Sequence, residues 1–382
     1  MRIMFICGTW EPGVDGVGDY TYRLAINLCK IGVSCNIVAI NDYRVKALKK
    51  VSRHVGEKTN LTVLRIPASC SAMEKARLLG SEVSLRRPDW ISLQYVPYSF
   101  NRKGLIWKMF LWLSHIRSGA KWHMMTHELW IDPNEKLSNR VIAPLQRLLL
   151  RGLIFYLRPM VVHTSNEYYV EKLRSINVNA SRLPLFSNIA VHHNTHFDAK
   201  SESGIRFVVF GSIHAEWKPS RLIDELEGFA DASGIKPITV ISIGNAGSHG
   251  VKLWQKLAAT TPDWLEFKQM GSLTAAEISL ELQRADFGIT TTPSHLLGKS
   301  GSVAAMLAHK LIVIVPRIER CYGLWHQEFL RDRRFIPLDK QFRQRLLSAR
   351  NEVCGRQENN IVDNEQLNKV SEVLLRSLGG IE

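Results

Sequence analysis

The sequence predicts two α/β domains in tandem, each a parallel sheet wrapped by helices. Three observations carry this expectation. At 382 residues the chain is long enough for two cores. Short β-branched runs alternate with helical spacing through both halves, the pattern of parallel strands joined by helical crossovers. A polar stretch without period, SNIAVHHNTHFDAKSESG, interrupts the alternation near the middle. We therefore expect a first domain over 1–186, a linker over 187–204, a second domain over 205–360 and a closing helix over 361–382.

Composition narrows the setting. An apolar share of 45% and a charged share of 22% are ordinary for a globular protein, so neither half is expected to be disordered. The six cysteines (Cys7, Cys29, Cys35, Cys70, Cys321 and Cys354) include no CxxC pair, which fits a reducing compartment and argues against a disulfide framework or a zinc site. The strand at Ile3 is not preceded by the segments of a secretory leader, and no uncharged apolar run is long enough for a membrane span. A cytoplasmic protein is expected. The net charge of +15 is held unevenly: residues 1–190 carry 27 Lys+Arg against 13 Asp+Glu, or +14, and residues 191–382 carry 23 against 22, or +1. One reading is a generally basic surface. The other is an anionic partner for the first half: a membrane surface, a nucleic acid or an acidic substrate. No nucleic-acid-binding motif accompanies the charge, so nucleic acid is not expected.

In the first domain, Ile3 to Cys7 is a buried-strand run ending at Gly8. The next residues include Pro12, Gly13, Gly16 and Gly18 and read as a flexible loop; Tyr20, Leu24, Leu28 and Ile31 then give helical spacing, with Gly32 as a stop. A strand over 36–40 completes a βαβ unit. The loop matches GxGxxG only loosely, because Asp19 and Tyr20 put bulk where the third glycine belongs; a hydride-transfer cofactor is disfavoured, and turn geometry alone would explain the glycines. Further strands are expected over 61–66 and 90–94, then a helix over 101–122 with Ile106, Phe110, Leu113 and Ile116 on one side. A strand over 123–126 delivers His127 and Glu128 to its carboxyl end, where ligands bind in open α/β sheets. A histidine there would orient a hydroxyl or stabilise positive charge, and Glu128 would accept a hydroxyl hydrogen bond; a plain loop start is the other reading. Residues 139–158 form an apolar helix with Arg140, Arg147, Arg151 and Arg158 and no acid. It reads as a core helix with snorkelling arginines or as a helix lying on an anionic bilayer. A strand over 161–165, capped by Ser165 into a helix over 167–175, closes the domain. In the linker, His192, His193 and His196 lack acidic or cysteine partners and a helix to align them, so no metal site is expected.

The second domain restarts the alternation: a strand over 206–210, the loop GSIHAEWKP, and a helix with Leu222, Leu226 and Phe229 at periodic spacing. A strand over 238–243 runs into Gly244, and a segment at 265–267 leads to Gly271. Thr274 with Glu277 forms a capping box. The stretch ADFGITTTPSHLLGKSGSVAAMLAHKLIVIV, 285–315, reads strand, loop, helix, strand. Gly298, Lys299, Ser300, Gly301 and Ser302 open its helix. Exposed amides and the helix dipole there make a ready anion site, to which Lys299 would add a charge. A glycine turn with a serine cap is the alternative, since GKSGS is neither a P-loop nor a dinucleotide fingerprint. A last strand is expected over 335–338 and a terminal helix over 364–378.

These motifs together resemble the GT-B glycosyltransferases, and in detail the retaining enzymes of family 4. The resemblance rests on GVGDYTYRLAINL, THELW, VVHTSNEYYVEKL, FGSIHAEWKP and the 285–315 stretch, and spans nearly the whole chain. It implies two Rossmann-like domains facing across a cleft, with the final helix crossing back to the first. It implies a nucleoside-diphosphate sugar as donor substrate, no cofactor or bound metal, and a hydroxyl acceptor presented by the first domain. By the same resemblance Lys218 contacts the diphosphate, Gly211 lets the backbone approach it, and Gly271 meets the nucleobase. Gly298 to Ser302 cradle phosphates and sugar, Gly16 and Gly18 close over the diphosphate, and His127 lies near the transferred sugar. The sequence departs from the pattern at Ser212, where an arginine is usual, at Leu297 and Ala305, where the two glutamates of E-x7-E fall, and at Lys310, a common glycine. The hydroxyls of the donor sugar are left without their usual carrier. A hexosyl transfer that is retaining and metal-independent is expected, to an acceptor that is lipid-linked or otherwise anionic, with the protein peripheral on the inner face of the membrane. A GT-B scaffold or partner subunit without transferase activity, and a nucleotide-sugar epimerase of GT-B architecture, are the alternatives.

Overall fold

Each half of the chain builds one sheet whose central strands are buried on both faces. The computed structural model describes residues 1–13, 15–55, 59–132, 137–192, 204–318, 329–354 and 365–379. Two compact units divide the chain, one of Met1–Pro184 with Leu367–Glu382 and one of Leu185–Gln366.

The first unit runs β1 (Arg2–Cys7), α1 (Gly16–Lys30), β2 (Ser34–Asp42), β3 (Lys49–Val55), β4 (Thr59–Pro67), α2 (Ala72–Arg86), β5 (Trp90–Tyr95), α3 (Pro97–Phe100), α4 (Trp107–Leu113), β6 (Lys121–Thr126), α5 (Asn139–Leu157), β7 (Val161–Thr164), α6 (Glu167–Arg174) and β8 (Ser181–Arg182). The sheet order is β3-β4-β2-β1-β5-β6-β7-β8, parallel except for the antiparallel edge pair β3 and β4. The chain steps outward from β1 in one direction and then, from β5, in the other. That reversal leaves a crevice at the carboxyl ends of β1 and β5, and Gly8 is needed there because a Cβ would lie 2.4 Å from the Ser99 Cβ.

The second unit runs β9 (Ile205–Phe210), α7 (Ser220–Ser233), β10 (Ile238–Ile243), α8 (Gly247–Thr260), β11 (Leu265–Gly271), α9 (Ala275–Arg284), β12 (Phe287–Ile289), a 3₁₀ turn (Ser294–Lys299), α10 (Gly301–Ala308), β13 (Ile312–Val315), β14 (Phe335–Pro337) and α11 (Phe342–Cys354). Its strands are all parallel in the order β11-β10-β9-β12-β13-β14, with the reversal between β9 and β12. Strand alternation splits the core in two. Phe207, Val209, Phe287 and Ile314 pack under α7, α8 and α11, while Val208, Ile241 and Val313 pack under α9 and α10. Leu297 and Ala305, at the positions of the missing glutamates, are part of that second core layer.

The last helix, α12 (Glu365–Ser377), returns to the first unit: Asn27 on α1 donates to Asn368 Oδ1 at 3.1 Å and to Ser371 Oγ at 2.9 Å, and Leu367, Val370 and Leu374 are buried.

Several local expectations change. Gly16 and Gly18 lie in the first turn of α1 and not in a loop, because the Asp15 carboxylate caps the helix at Val17 and Gly18. The helix expected over 101–122 shrinks to α4; Asn101 Oδ1 accepts from the Lys103 amide in a local turn before it, and Trp122 already belongs to β6. Asn166, not Ser165, caps α6, accepting from the Tyr169 amide at 2.8 Å. The linker expected from 187 begins as part of the second unit: Ile189 packs on the core under α9 and α10, and the His192 amide donates to Ser279 Oγ at 2.9 Å. His193, His196 and Cys321 lie outside the described residues. Strand β3 and helices α2, α8 and α11 had no place in the expectation.

Candidate functional site

At the strand reversal of the second unit, small residues at or beyond the ends of β9, β10, β11 and β12 touch in a row. Gly244 donates its amide to the Gly271 carbonyl at 2.7 Å. A Cβ on Gly244 would lie 3.5 Å from the Cα of Gly211, and one on Gly211 would lie 3.4 Å from the Ser302 Cβ. Ser302 Oγ is 3.0 Å from Ser300 Oγ, which receives the Thr292 hydroxyl at 3.3 Å. Gly211 and Gly244 hold φ of 91° and 95°, the left-handed region that glycine occupies at no steric cost. The result is a floor of bare backbone and hydroxyls at the carboxyl edge of the sheet. Ser300 caps α10 through the Val303 amide, so the dipole of α10 points its positive end at this floor.

Charged side chains rim the floor. Thr291 ties two loops together, donating its hydroxyl to the Ser212 carbonyl at 3.0 Å and accepting the His214 amide at 3.2 Å. Arg317, just beyond β13, donates to the Thr291 carbonyl at 3.4 Å and pairs with Glu216 at 3.5 Å. Burial lowers the pKa of His214, and the positive charges of Arg317 and Lys299 add to the effect, which places all three groups in one electrostatic neighbourhood. Lys218 is exposed, held between buried Trp217 and the first turn of α7. The floor residues themselves include no carboxylate, and Glu216 pairs with Arg317 beside them.

In the first unit, His127 sits at the carboxyl end of β6, buried, with Tyr20 of α1 edge-on at 4.9 Å. Its Nε2 is 2.9 Å from Gln94 Oε1; Gln94 Nε2 donates to Ser92 Oγ at 2.8 Å; Ser92 Oγ is 2.7 Å from His123 Nδ1; and His123 Nε2 is 3.0 Å from His163 Nδ1. One direction of donation satisfies every link: His127 Nε2–H to Gln94, Gln94 to Ser92, the Ser92 hydroxyl to His123, and His123 to His163. Burial lowers the His127 pKa to about 3, so the ring is neutral at pH 7 and its Nδ1 is left as a hydrogen-bond acceptor. Glu128 follows it, half-buried.

The start of α1 has the opposite character. Asp15 accepts from the Val17 and Gly18 amides at 3.2 and 3.1 Å, and the Thr9 hydroxyl donates to the same carboxylate. Asp19 accepts from the Gly13 amide at 2.9 Å; burial, with Asp15 nearby, raises its pKa to about 6. Gly18 is a glycine for packing, since a Cβ would lie 2.9 Å from the Thr9 carbonyl oxygen. Of the two glycines expected to close over a diphosphate, Gly18 already turns its amide to the Asp15 carboxylate.

The structure thus brings Gly211, Gly271, Ser300 and Ser302 into one row, with Gly301 inside the α10 cap and Lys299 close by in charge. Gly298 is exposed at the end of the 3₁₀ turn, and Lys218 stands on its own loop. His127, Glu128, Gly16 and Gly18 belong to the other unit. Sequence reasoning missed Arg317, Thr291 and His214; the Pro316-Arg317 step directly after a β-branched run was the available signal for the first. It also missed Gln94, Ser92, His123 and His163, whose register across β5, β6 and β7 is invisible in one dimension. Among the described residues no group of three His, Cys, Asp or Glu side chains is placed to hold a metal ion.

No family profile and no curated protein matches the sequence. The fold is similar to solved structures. The trehalose-6-phosphate synthase OtsA aligns over 100% of both chains with a TM-score of 0.60 and 10% identity. An alpha-glucosyltransferase in complex with UDP and a 13-mer DNA aligns over 99% of this chain and 95% of its own, with a TM-score of 0.56 and 12% identity. The UDP-GlcNAc 2-epimerase from Methanocaldococcus jannaschii aligns over 99% of both chains, with a TM-score of 0.54 and 11% identity. The chain has the α/β fold of the GT-B glycosyltransferases.

Proposed function

We propose that the protein is a glycosyltransferase that moves a sugar from a nucleoside-diphosphate donor to a hydroxyl, with retention and without a bound metal. The observation that carries the reading is the glycine–serine floor at the reversal of the second sheet, with Arg317 bonded to Thr291 beside it and Lys299 in the same electrostatic neighbourhood. A departing diphosphate gathers negative charge as the glycosidic bond breaks, so fixed positive groups there stabilise the transition state more than the ground state. The amides opening α10, the Ser300 and Ser302 hydroxyls and the cations of Arg317, Lys299 and Lys218 are the binding groups, and Gly271 leaves room for the base. Arg317 stands in for the arginine whose place Ser212 takes. Neutral His127 positions a sugar hydroxyl through Nδ1, held in its tautomer by Gln94, and Glu128 accepts from the acceptor. The fold is shared with a trehalose-6-phosphate synthase and an alpha-glucosyltransferase, which supports the transferase class. The basic first half, +14 of the +15, supports an acceptor that is lipid-linked or otherwise anionic, met at the inner face of a membrane by a peripheral cytoplasmic enzyme.

The test is a panel of nucleoside-diphosphate sugars incubated with purified protein and lipid-linked acceptors. Diphosphate release coupled to sugar transfer supports the reading. Burial of Leu297 and Ala305, which leaves no carboxylate where the donor sugar would be held, favours a second reading: a GT-B protein that binds nucleotide without transferring sugar. Nucleotide binding without transfer to any acceptor would select it, and interconversion of the donor sugar without acceptor would select an epimerase.

A further inference from the structure

Helix α5 carries two apolar stripes on opposite faces, and only one is covered. Ala143, Leu150, Leu153 and Leu157 are buried against their own unit. Val141, Leu145, Leu148 and Phe155 recur at helical spacing on the other side and are exposed by 67, 44, 65 and 74%. A helix that merely closes a sheet needs one stripe. Helix α4 extends the exposed one: Phe110 contacts α5 at Gly152 and Tyr156, with the Tyr156 ring 5.8 Å away, and beside it Trp107 and Leu111 are exposed by 58 and 41%. Single exposed apolar side chains are ordinary, but six of this size on two touching helices form a patch that soluble surfaces rarely leave bare.

Charge selects the occupant. Helical spacing places Arg140, Arg147, Arg151 and Arg158 together on one flank of the stripe, with α4 on the other, and residues 139–158 contain no acid. An apolar stripe edged by arginines matches the boundary between acyl chains and anionic headgroups, where long arginine stems reach outward to phosphate. The described helices include none long and apolar enough to cross a membrane.

We propose that the α4–α5 face docks on an anionic bilayer, with Leu148 and Phe155 inserted and Arg140 and Arg151 at the phosphate level. The inference deepens the membrane part of the proposed function and needs no turnover to test. The intact protein is sedimented with vesicles of phosphatidylcholine alone and of phosphatidylcholine with phosphatidylglycerol, at low and high salt. The expected result is partitioning at least about tenfold stronger onto the anionic vesicles, reduced by salt. The double variants Leu148→Glu/Phe155→Glu and Arg140→Glu/Arg151→Glu each lower it about tenfold or more while melting like the parent and binding UDP as the parent does. Equal binding to both vesicle types, or binding unchanged in the folded apolar variant, overturns the proposal. So does a concentration-dependent dimer in sedimentation velocity that the apolar variant abolishes, which would assign the face to a second copy of the chain. If none of UDP, GDP, ADP and TDP binds, the donor reading falls while the vesicle result stands by itself.

Discussion

The two sheets reverse direction in the same way, and both units put a glycine-bearing segment and a helix start at that reversal, yet the electrostatics are opposite. In the first unit Asp15 occupies the amides that open α1, and Asp19 is held close enough to have its pKa raised to about 6. In the second, a serine caps α10, backbone and hydroxyls make the floor, Arg317 bonds to Thr291 beside it, and Arg317 and Lys299 both act on His214. The same topology therefore presents a helix start capped by a serine in one unit and by a carboxylate in the other. Fold alone does not say which loop suits a phosphate; the capping residue and the neighbouring charges set the local potential.

The largest expected break in the comparison is at the cations. Arg317→Ala and Lys218→Ala should each weaken nucleoside-diphosphate binding about ten- to a hundredfold by calorimetry, the worth of a charge-assisted hydrogen bond. A matched change in the first unit, Asp15→Asn, should leave that affinity unchanged. Asp15→Ala should instead cost about 1 kcal/mol of stability in urea unfolding, the usual effect of losing a helix cap.

Acidity separates the units as well. His127 and His163 have folded pKa values lowered by burial to about 3 and about 4, and His123 lies well below its free value. A depressed folded value gives stability that is complete above the free value of 6.5 and is lost as the pH falls toward the folded one. The urea midpoint of the first unit should fall as the pH is lowered from about 7.5 to about 5. Asp19 acts in the opposite sense: its contribution is complete below 3.8 and lost as the pH rises through about 6, so Asp19→Asn should raise the midpoint more at neutral than at acid pH. The smallest change concerns Lys310, which takes φ of 60° where a glycine is common in the resembling family. Lys310→Gly should stabilise the second unit by about 1 kcal/mol, measured by thermal unfolding.

Local signals proved legible where the physics is local. The capping box of Thr274 and Glu277, the Ser300 start of α10 and the β-branched strands were all readable from spacing. The 101–122 helix was not, because an apolar period continued through residues that Asn101 and the start of β6 take out of helical geometry. Gly16 and Gly18 misled for a related reason: glycine reads as loop, but the Asp15 carboxylate directly before Gly16 is enough to start a helix. The site itself was half visible. Residues adjacent in sequence, such as Ser300 and Ser302, could be found together; Arg317 and Thr291, or His127 and Gln94, meet only through strand register.

The most direct test of the central claim is hydrogen–deuterium exchange on the intact protein with and without UDP, GDP, ADP and TDP. The account predicts that at least one nucleotide protects amides in 211–218 and 298–304 and leaves 13–20 unchanged. Protection confined to 13–20, or no protection by any of the four, would contradict it.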